Sequence, residues 1–540
     1  MKPYFSILCS LICVCFLQAQ QRFTHCDSLK GGYSIARSAY DVQHYELHLR
    51  IDPQSKHIAG TQAIALQWKS KSPVFQVDLA QSLLLDSLVM RHQRLTFQRD
   101  CDAIRVIAPD YQLGQYDTLR VYYHGVPRVA KNAPWDGGMI WTQDAQGQPW
   151  VGVAVQGLGA SQWMPVKDSQ ADEPDHGALL QFEVPKGLMA ISNGRLLQTE
   201  ALTDGFTRYR WQVTHPINAY DMTVYVGDYE GWDYPYTGVD VLCYALRTHR
   251  ELAEKQWQQL TPMLDCFQDK FGPYPFAQDS FKMVEAPYLG MEHQSAVAYG
   301  NGFVNGYQGR DLSNTGIGLK FDFILVHESA HEWFGNAITS CDIADMWIHE
   351  GFTTYAESVF VECQYGAAMA LAYENGQREN IEHDQPVIGP YGVGHEGSAD
   401  MYPKGAALVQ TLRAVLNNDT QWWAMMKGMV KEYAQHCATT DHLIGFMESY
   451  FKRPLRALCM GYLRQTGVPE LQCEKRNGQW MYRWNSPEIG FDLPVDAMID
   501  ETVKRCYPTT QWQKIPLSEQ DIKKMRWDTQ RMYFKVKKKT

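Results

Sequence analysis

The sequence predicts a multidomain α+β protein, with an N-terminal antiparallel β domain, a mainly helical domain in the middle and a small C-terminal β domain. Three observations carry this. The chain has 540 residues, more than one hydrophobic core supports, so several domains are expected. Apolar residues alternate with period two from about 40 to 234, then shift to helical spacing near 246. Short alternating runs return after 466.

The first stretch, "MKPYFSILCSLICVCFLQAQQ", precedes these domains. Lys2 gives it a positive start, Phe5 to Leu17 is apolar but too short to span a bilayer, and Ala19 suits cleavage. This is the pattern of a secretory signal peptide over 1–19. No later run reaches the roughly 18 apolar residues of a membrane helix. The expectation is an exported protein, periplasmic or extracellular, without a transmembrane segment. A lipid anchor on Cys9, Cys13 or Cys15 would leave it surface-associated, but the residues before each match a lipoprotein cleavage site poorly.

The β domain is expected over 20–235. "HYELHLRID" puts Tyr45, Leu47, Leu49 and Ile51 on one face, and "TQAIALQW" does the same with Ile64, Leu66 and Trp68. "TLRVYYHG" and "DMTVYVGDYE" continue the pattern. The helical domain is expected over 236–466. It opens with "RTHRELAEKQWQQLTPMLDCFQDKFG", whose Leu252, Trp257, Leu260, Leu264 and Phe267 fall near helical spacing. "LKFDFILVHESAHEWFGNAI", "MWIHEGFTTYAESVFVECQYG", "KGAALVQTLRAVL" and "QWWAMMKGMVKEYAQH" follow. Over 467–540, "QWMYRW", "FDLPVDAMI" and "RMYFKVKKK" read as strands.

Hydrophobic content of 45% and charged content of 20% are those of an ordinary globular protein. A net charge of -10 without any extended basic tract argues against nucleic-acid binding. Thirteen cysteines are present, and the ten beyond the leader are scattered without a CxxC. They form no zinc-finger pattern. Export permits disulfides, but spacing does not assign them, and most are expected to be small buried hydrophobes.

The chemistry concentrates in "VHESAHEWFGNAITSCDIADMWIHEGFTTYAES". Residues four apart on a helix project from one face, so His327 and His331 can point at one ion. Glu328, beside the first, can reach a water at that ion. A bare HExxH is only suggestive. Here Phe321, Ile324, Leu325, Trp333 and Phe334 make the helix a buried one, and Glu350 on the next helical run offers a third ligand. A catalytic zinc needs three protein ligands and an open position. Buried ionisable groups are costly unless paired or bound to metal.

HExxH followed by eighteen residues and Glu resembles the gluzincin arrangement of the M1 family of zinc metallo-aminopeptidases. Other landmarks come in family order. "YLGMEHQSAVAYG" resembles the exopeptidase motif G-x-M-E-N, with Met291 and Glu292 matching. "QGLGASQWMPVKDSQADEPD", "HPINAYDMTVYVGDYE", "FGPYPF" and "DMYPKGAALV" are also family-like, so the resemblance covers about 30 to 466. It departs at Leu289 in place of the glycine (with Gly290 following), at His293 for the asparagine, and at His349 for the asparagine before the third ligand. The large C-terminal helical domain of many members has no counterpart, so an open cleft is expected rather than a closed, size-filtering cavity.

The resemblance implies a thermolysin-like catalytic domain in which His327, His331 and Glu350 bind one Zn²⁺. Glu328 would be the general base and Tyr402 the donor to the tetrahedral oxyanion. Glu292 would pair with the α-ammonium of a peptide substrate that has a free N-terminus. Internal peptide bonds would leave that charge unpaired. Gln156, Gly290 and Met291 would complete the substrate site, with Tyr288 near it. His293, His349 and His395 are expected to support the site or lie on loops, because the ligand count is complete. Glu357 is a candidate partner for an outer imidazole nitrogen. The implied function is removal of N-terminal residues from peptides. An endopeptidase or epoxide hydrolase is a second reading of the same site. A catalytically silent zinc-containing peptide-binding surface protein is a third, against which Glu328 and Tyr402 speak. Oligomeric state is not legible.

Overall fold

The alternating residues of the first domain become the buried face of a sheet. A computed structural model describes residues 23–539; the signal-peptide reading lies outside them. Tyr45, Leu47, Leu49, Ile51, Ile64, Leu66 and Trp68 are all at most 1% exposed. They lie on strands Tyr40–Asp52 and His57–Trp68, which pair antiparallel at the centre of an eight-stranded sheet. One pairing in this sheet departs from the antiparallel pattern. Strand Ala178–Pro185 runs parallel to Tyr40–Asp52, with Tyr45 opposite Ala178. Local alternation carries no information about that neighbour, because more than a hundred residues of chain connect the two strands.

A second sheet of four strands matters more for the site. Its hairpin, Gly138–Gln143 and Pro149–Ala154, delivers the chain to Gln156, and Val224–Gly227 and Met189–Ser192 complete it. Strand Tyr229–Tyr234 belongs to the next sheet, which is mixed and has five strands. There Val241–Leu246, Phe281–Glu285 and Val297–Tyr299 run parallel, and Gly290–Met291 forms the edge. Phe281–Glu285 and Val297–Tyr299 are short and buried at every position, so no alternation reveals them in the sequence.

Helices pack behind this sheet. The opening run of the helical region is two helices, Arg250–Gln256 and Leu260–Phe271, with a 3₁₀ turn over Trp257–Gln259. Trp257, Leu260, Leu264 and Phe267 are buried as spaced, but Leu252 is 54% exposed and lies outside the core. The break resets the helical phase, which turns Leu252 outward. Helix Trp347–Tyr365 forms the centre of the region and is buried without interruption from Trp347 to Val361. Helix Pro403–Leu416 packs along it closely enough that Gly351 and Gly405 are both required: a Cβ on Gly405 would sit 2.8 Å from the Gly351 Cα.

The C-terminal residues form a four-stranded and a three-stranded sheet. Their Trp484, Phe491, Val495 and Trp527 share one apolar core with the helices. The N-terminal sheets have their own core, which reaches Val284, Tyr288, Met291 and Ala298 of the neighbouring region. Six of the ten cysteines are paired, as Cys26–Cys101, Cys266–Cys363 and Cys341–Cys437. This corrects the expectation that most are lone hydrophobes; only Cys243, Cys459, Cys473 and Cys506 are. The partners lie 75 to 97 residues apart, so only the fold brings them together. Disulfides are the mark of an oxidising compartment. Among the described residues no helix is long and apolar enough to cross a membrane.

Candidate metal centre and substrate cleft

Helix Phe323–Ala330 starts at Asp322, whose carboxylate caps the Leu325 N–H, and ends at His331. Glu332–Asn336 then form a π turn. Gly335 there has φ 128°, and a Cβ on it would lie 3.1 Å from His331 Nδ1. Glycine therefore lets the chain fold back against the imidazole it has just placed. His331 Nδ1 donates to the Phe334 carbonyl at 2.9 Å, and His327 Nδ1 donates to Glu357 at 2.7 Å. Tyr373 and Gln377 donate to the other Glu357 oxygen. Both Nδ1 protons are thus committed, which leaves both Nε2 lone pairs free and facing inward.

Those two nitrogens are 3.3 Å apart, and Glu350 Oε2 lies 3.5 Å from one and 3.3 Å from the other. All three side chains are buried, and Glu350 Oε2 has no hydrogen-bond donor. An ion held tetrahedrally at about 2.0–2.1 Å would separate its donors by about 3.3–3.4 Å. The donor set therefore fits Zn²⁺ in both chemistry and spacing. Burial opposes ionisation of Glu350, but His331 and His327 overcome it and hold this carboxyl far below the usual range.

Glu328 lies beside the triad and is nearly buried. Burial pushes its carboxyl up to about 7, against the pull of His327 and His331. Edge strand Gly290–Met291 passes directly over it. A Cβ on Gly290 would come 2.5 Å from Glu328 Oε1 and 2.9 Å from Ile324 Cγ2. Glu292 follows on the same segment, and carboxylate or imidazole atoms of Glu292, Glu328 and His331 all lie within 4.8 Å of one another. Gln156 Nε2 donates to Glu292 Oε1, as does Tyr220 Oη at 3.2 Å. The Gln156 amide also lies 3.4 Å from Glu350 Oε1.

The departures from the M1 pattern now have positions. The Ser340 N–H donates to His349 Nε2 at 2.8 Å, which forces the His349 proton onto Nδ1, 3.4 Å from Tyr220 Oη. His349 thereby backs the tyrosine that supports Glu292. Burial lowers its pKa to about 3, so it stays neutral. His293 is fully buried against Tyr225 Oη at 2.8 Å, away from the three donors. His395 is a half-exposed loop residue near Asp27. Tyr288 donates to the Val153 carbonyl, and Met291 is buried in the N-terminal core. The Tyr402 ring stacks 6.1 Å from that of His327. Burial and the nearby Glu350 raise its phenol well above the ordinary tyrosine value, so it stays a donor. Sequence reasoning missed Tyr220, Tyr373 and Gln377. Tyr220 lies inside a segment that the family resemblance does pick out.

Residues 256–462 match the Peptidase family M1 domain. The chain carries an M1 peptidase domain. Curated relatives include aminopeptidase M1 of Arabidopsis thaliana, 24% identical over 57% of this chain and 36% of its own. Aminopeptidase B of Mus musculus is 23% identical over 58% and 48%, and leukotriene A-4 hydrolase of Xenopus laevis 25% over 54% and 49%. The chain thus matches a third to a half of the length of these relatives. The fold is shared with an M1 zinc metallopeptidase of Deinococcus radiodurans, at TM-score 0.65 and 21% identity, over 80% of this chain and 95% of that one. The M1 domain, with its neighbouring β domain, contains every residue of the cleft described above.

Proposed function

We propose that this protein is a zinc-dependent aminopeptidase in which His327, His331 and Glu350 hold the ion. The observation that carries the reading is Glu292, a buried carboxylate held by Gln156 and Tyr220 within 4.8 Å of both Glu328 and His331. Burial raises its carboxyl, which His331 opposes and Glu350 reinforces. A carboxylate so placed gains most from a cation brought in by the substrate, and a free α-ammonium is that cation. Its distance from Glu328 then sets which peptide bond reaches the base.

Zinc, when bound, is a Lewis acid that activates the attacking water and polarises the scissile carbonyl. The protein's own groups do the rest. Glu328 takes the proton of the attacking water and returns it to the leaving amine. Tyr402 donates to the oxygen on which charge develops. Gly290 leaves room for Glu328 to move between these tasks.

The test is a set of aminoacyl fluorogenic amides, with N-acetylated counterparts, assayed with and without a chelator. Chelation should abolish turnover and added zinc should restore it. Glu292→Ala should lower kcat/KM on free-amine substrates by about a hundredfold or more, the cost of leaving the substrate cation unpaired. Acetylated substrates cleaved as fast as free ones would refute the amine-directed reading.

A further inference from the structure

Beside Glu292 lies a cavity of about 330 Å³. Gln156 and Tyr220, which both bond to Glu292, line it, so it opens where a bound N-terminal residue would place its side chain. Asp168 and Gln170 of the β domain and Asp342 and Tyr391 of the M1 region form two of its walls. The third wall is unexpected. It comes from the first described stretch of the chain and contains Lys30, Gly31 and Tyr33.

This stretch is fixed on both sides of the cleft. Toward the β domain, Cys26 is bonded to Cys101, the Leu29 carbonyl accepts from Gln76, and Arg37 ties the Lys30 and Gly32 carbonyls to Asp78. Lys30 Nζ donates to the Gly157 carbonyl at 2.7 Å, one residue from Gln156. Toward the M1 region, Gly31 lies against Val393 and Gly394 so closely that a Cβ would sit 2.0 Å from the Gly394 nitrogen. Phe23 packs on His395, with ring centroids 5.2 Å apart. That loop is itself anchored, by Gly392 N–H to Asp342 and by Tyr391 Oη to Asp345. It leads directly to Tyr402.

We propose that residues 24–37 are a strap that walls the pocket for the substrate's N-terminal side chain, and that Lys30 is a specificity-determining residue in it. The proposal rests on the aminopeptidase reading and names what that site selects. A pocket of this volume takes the largest side chains. The strap forms one wall of it, so a side chain that fills the cavity touches the strap and a methyl group does not. The positive charges at the wall are already engaged, Lys30 with Gly157 and Arg37 with Asp78. Asp168 and Asp342, which also line the cavity, are likewise engaged, accepting from the Ser161 N–H and from the Ala344 and Gly392 N–H groups, so the cavity selects by length rather than by charge.

The experiment measures binding, so it reads the strap whether or not the protein turns peptides over. Zinc-loaded protein is titrated calorimetrically with the hydroxamates of alanine, leucine, phenylalanine and arginine. Wild type is compared with Lys30→Met and with Cys26→Ser/Cys101→Ser, each checked for zinc content and thermal unfolding. Wild type should bind the long-chain compounds more tightly than the alanine compound. Both variants should weaken the long-chain compounds by about fivefold or more, the loss of one hydrogen bond's worth of pocket wall, and shift alanine by less than about twofold. An unchanged ranking in both folded variants, or an equal loss across all four compounds, would overturn the strap. Failure of the aminopeptidase reading would show separately, as wild-type protein that cleaves no free-amine amide.

Discussion

Glu357 touches neither substrate nor ion, yet it fixes the tautomer of His327 and is itself fixed by Tyr373 and Gln377. Such outer partners hold a ligand's ring in place and raise its basicity. Glu357→Gln should therefore lower zinc affinity by about 10- to 100-fold, measured by competition with a chromogenic chelator. Gly290 makes a complementary prediction. A methyl there would push on Glu328 and Ile324. Gly290→Ala should keep its zinc but lose about tenfold or more in kcat with little change in KM, because the base and not the substrate contact is displaced. At this scale the sequence was most legible where chemistry depends on local spacing. His327, Glu328 and His331 share one helix end, so four-residue periodicity reveals them. The Phe334 carbonyl and Tyr373 cannot be found that way, since one is a backbone atom in a π turn and the other sits on a separate helix. Tyr220 was hidden for another reason: its neighbours read as a strand, and a buried tyrosine in a strand is ordinary.

Helix Trp347–Tyr365 carries both Glu350 and Glu357, and it is held from outside by Asp345 just before its start. That carboxylate accepts from Thr440 and Tyr391. Cys341–Cys437 closes the same corner. Helix phase was thus readable, but the elements that anchor the helix were not, because they lie 46 to 96 residues away along the chain. Two strands of the mixed sheet, Phe281–Glu285 and Val297–Tyr299, were missed for want of alternation. One of them bears Lys282, which is fully buried and donates to the Gly194 carbonyl at 2.5 Å across the seam between β domain and M1 region. Burial pushes its ammonium down to about 7. Below that pH the folded state must bury the charge, so the penalty is complete there. It fades as the pH rises toward the ordinary lysine value. Wild type should gain stability relative to Lys282→Met by about 2 kcal/mol between about pH 7 and 8.5, at about 1.4 kcal/mol per unit. Urea midpoints of both proteins at the two pH values check this; equal slopes would contradict it.

At the level of the whole molecule, two apolar cores meet at the cleft, and each supplies what the other lacks. The M1 region brings the three candidate ligands and Glu328. The β domain brings Gln156 and Tyr220 to Glu292. The division into β, helical and β parts was legible from periodicity alone, because long amphipathic strands and helices repeat their signal many times. Their docking was not, since it depends on contacts such as Gly31 against Gly394 that leave no periodic trace. The claim beneath all of this is that one zinc ion sits among His327, His331 and Glu350. Anomalous diffraction from crystals of the protein, collected on both sides of the zinc absorption edge, tests it most directly. The account predicts a single strong peak, about 2 Å from both Nε2 atoms and from Glu350 Oε2, that vanishes below the edge. Zinc-supplemented crystals with no peak there, or with the three side chains turned away from one another, would contradict it.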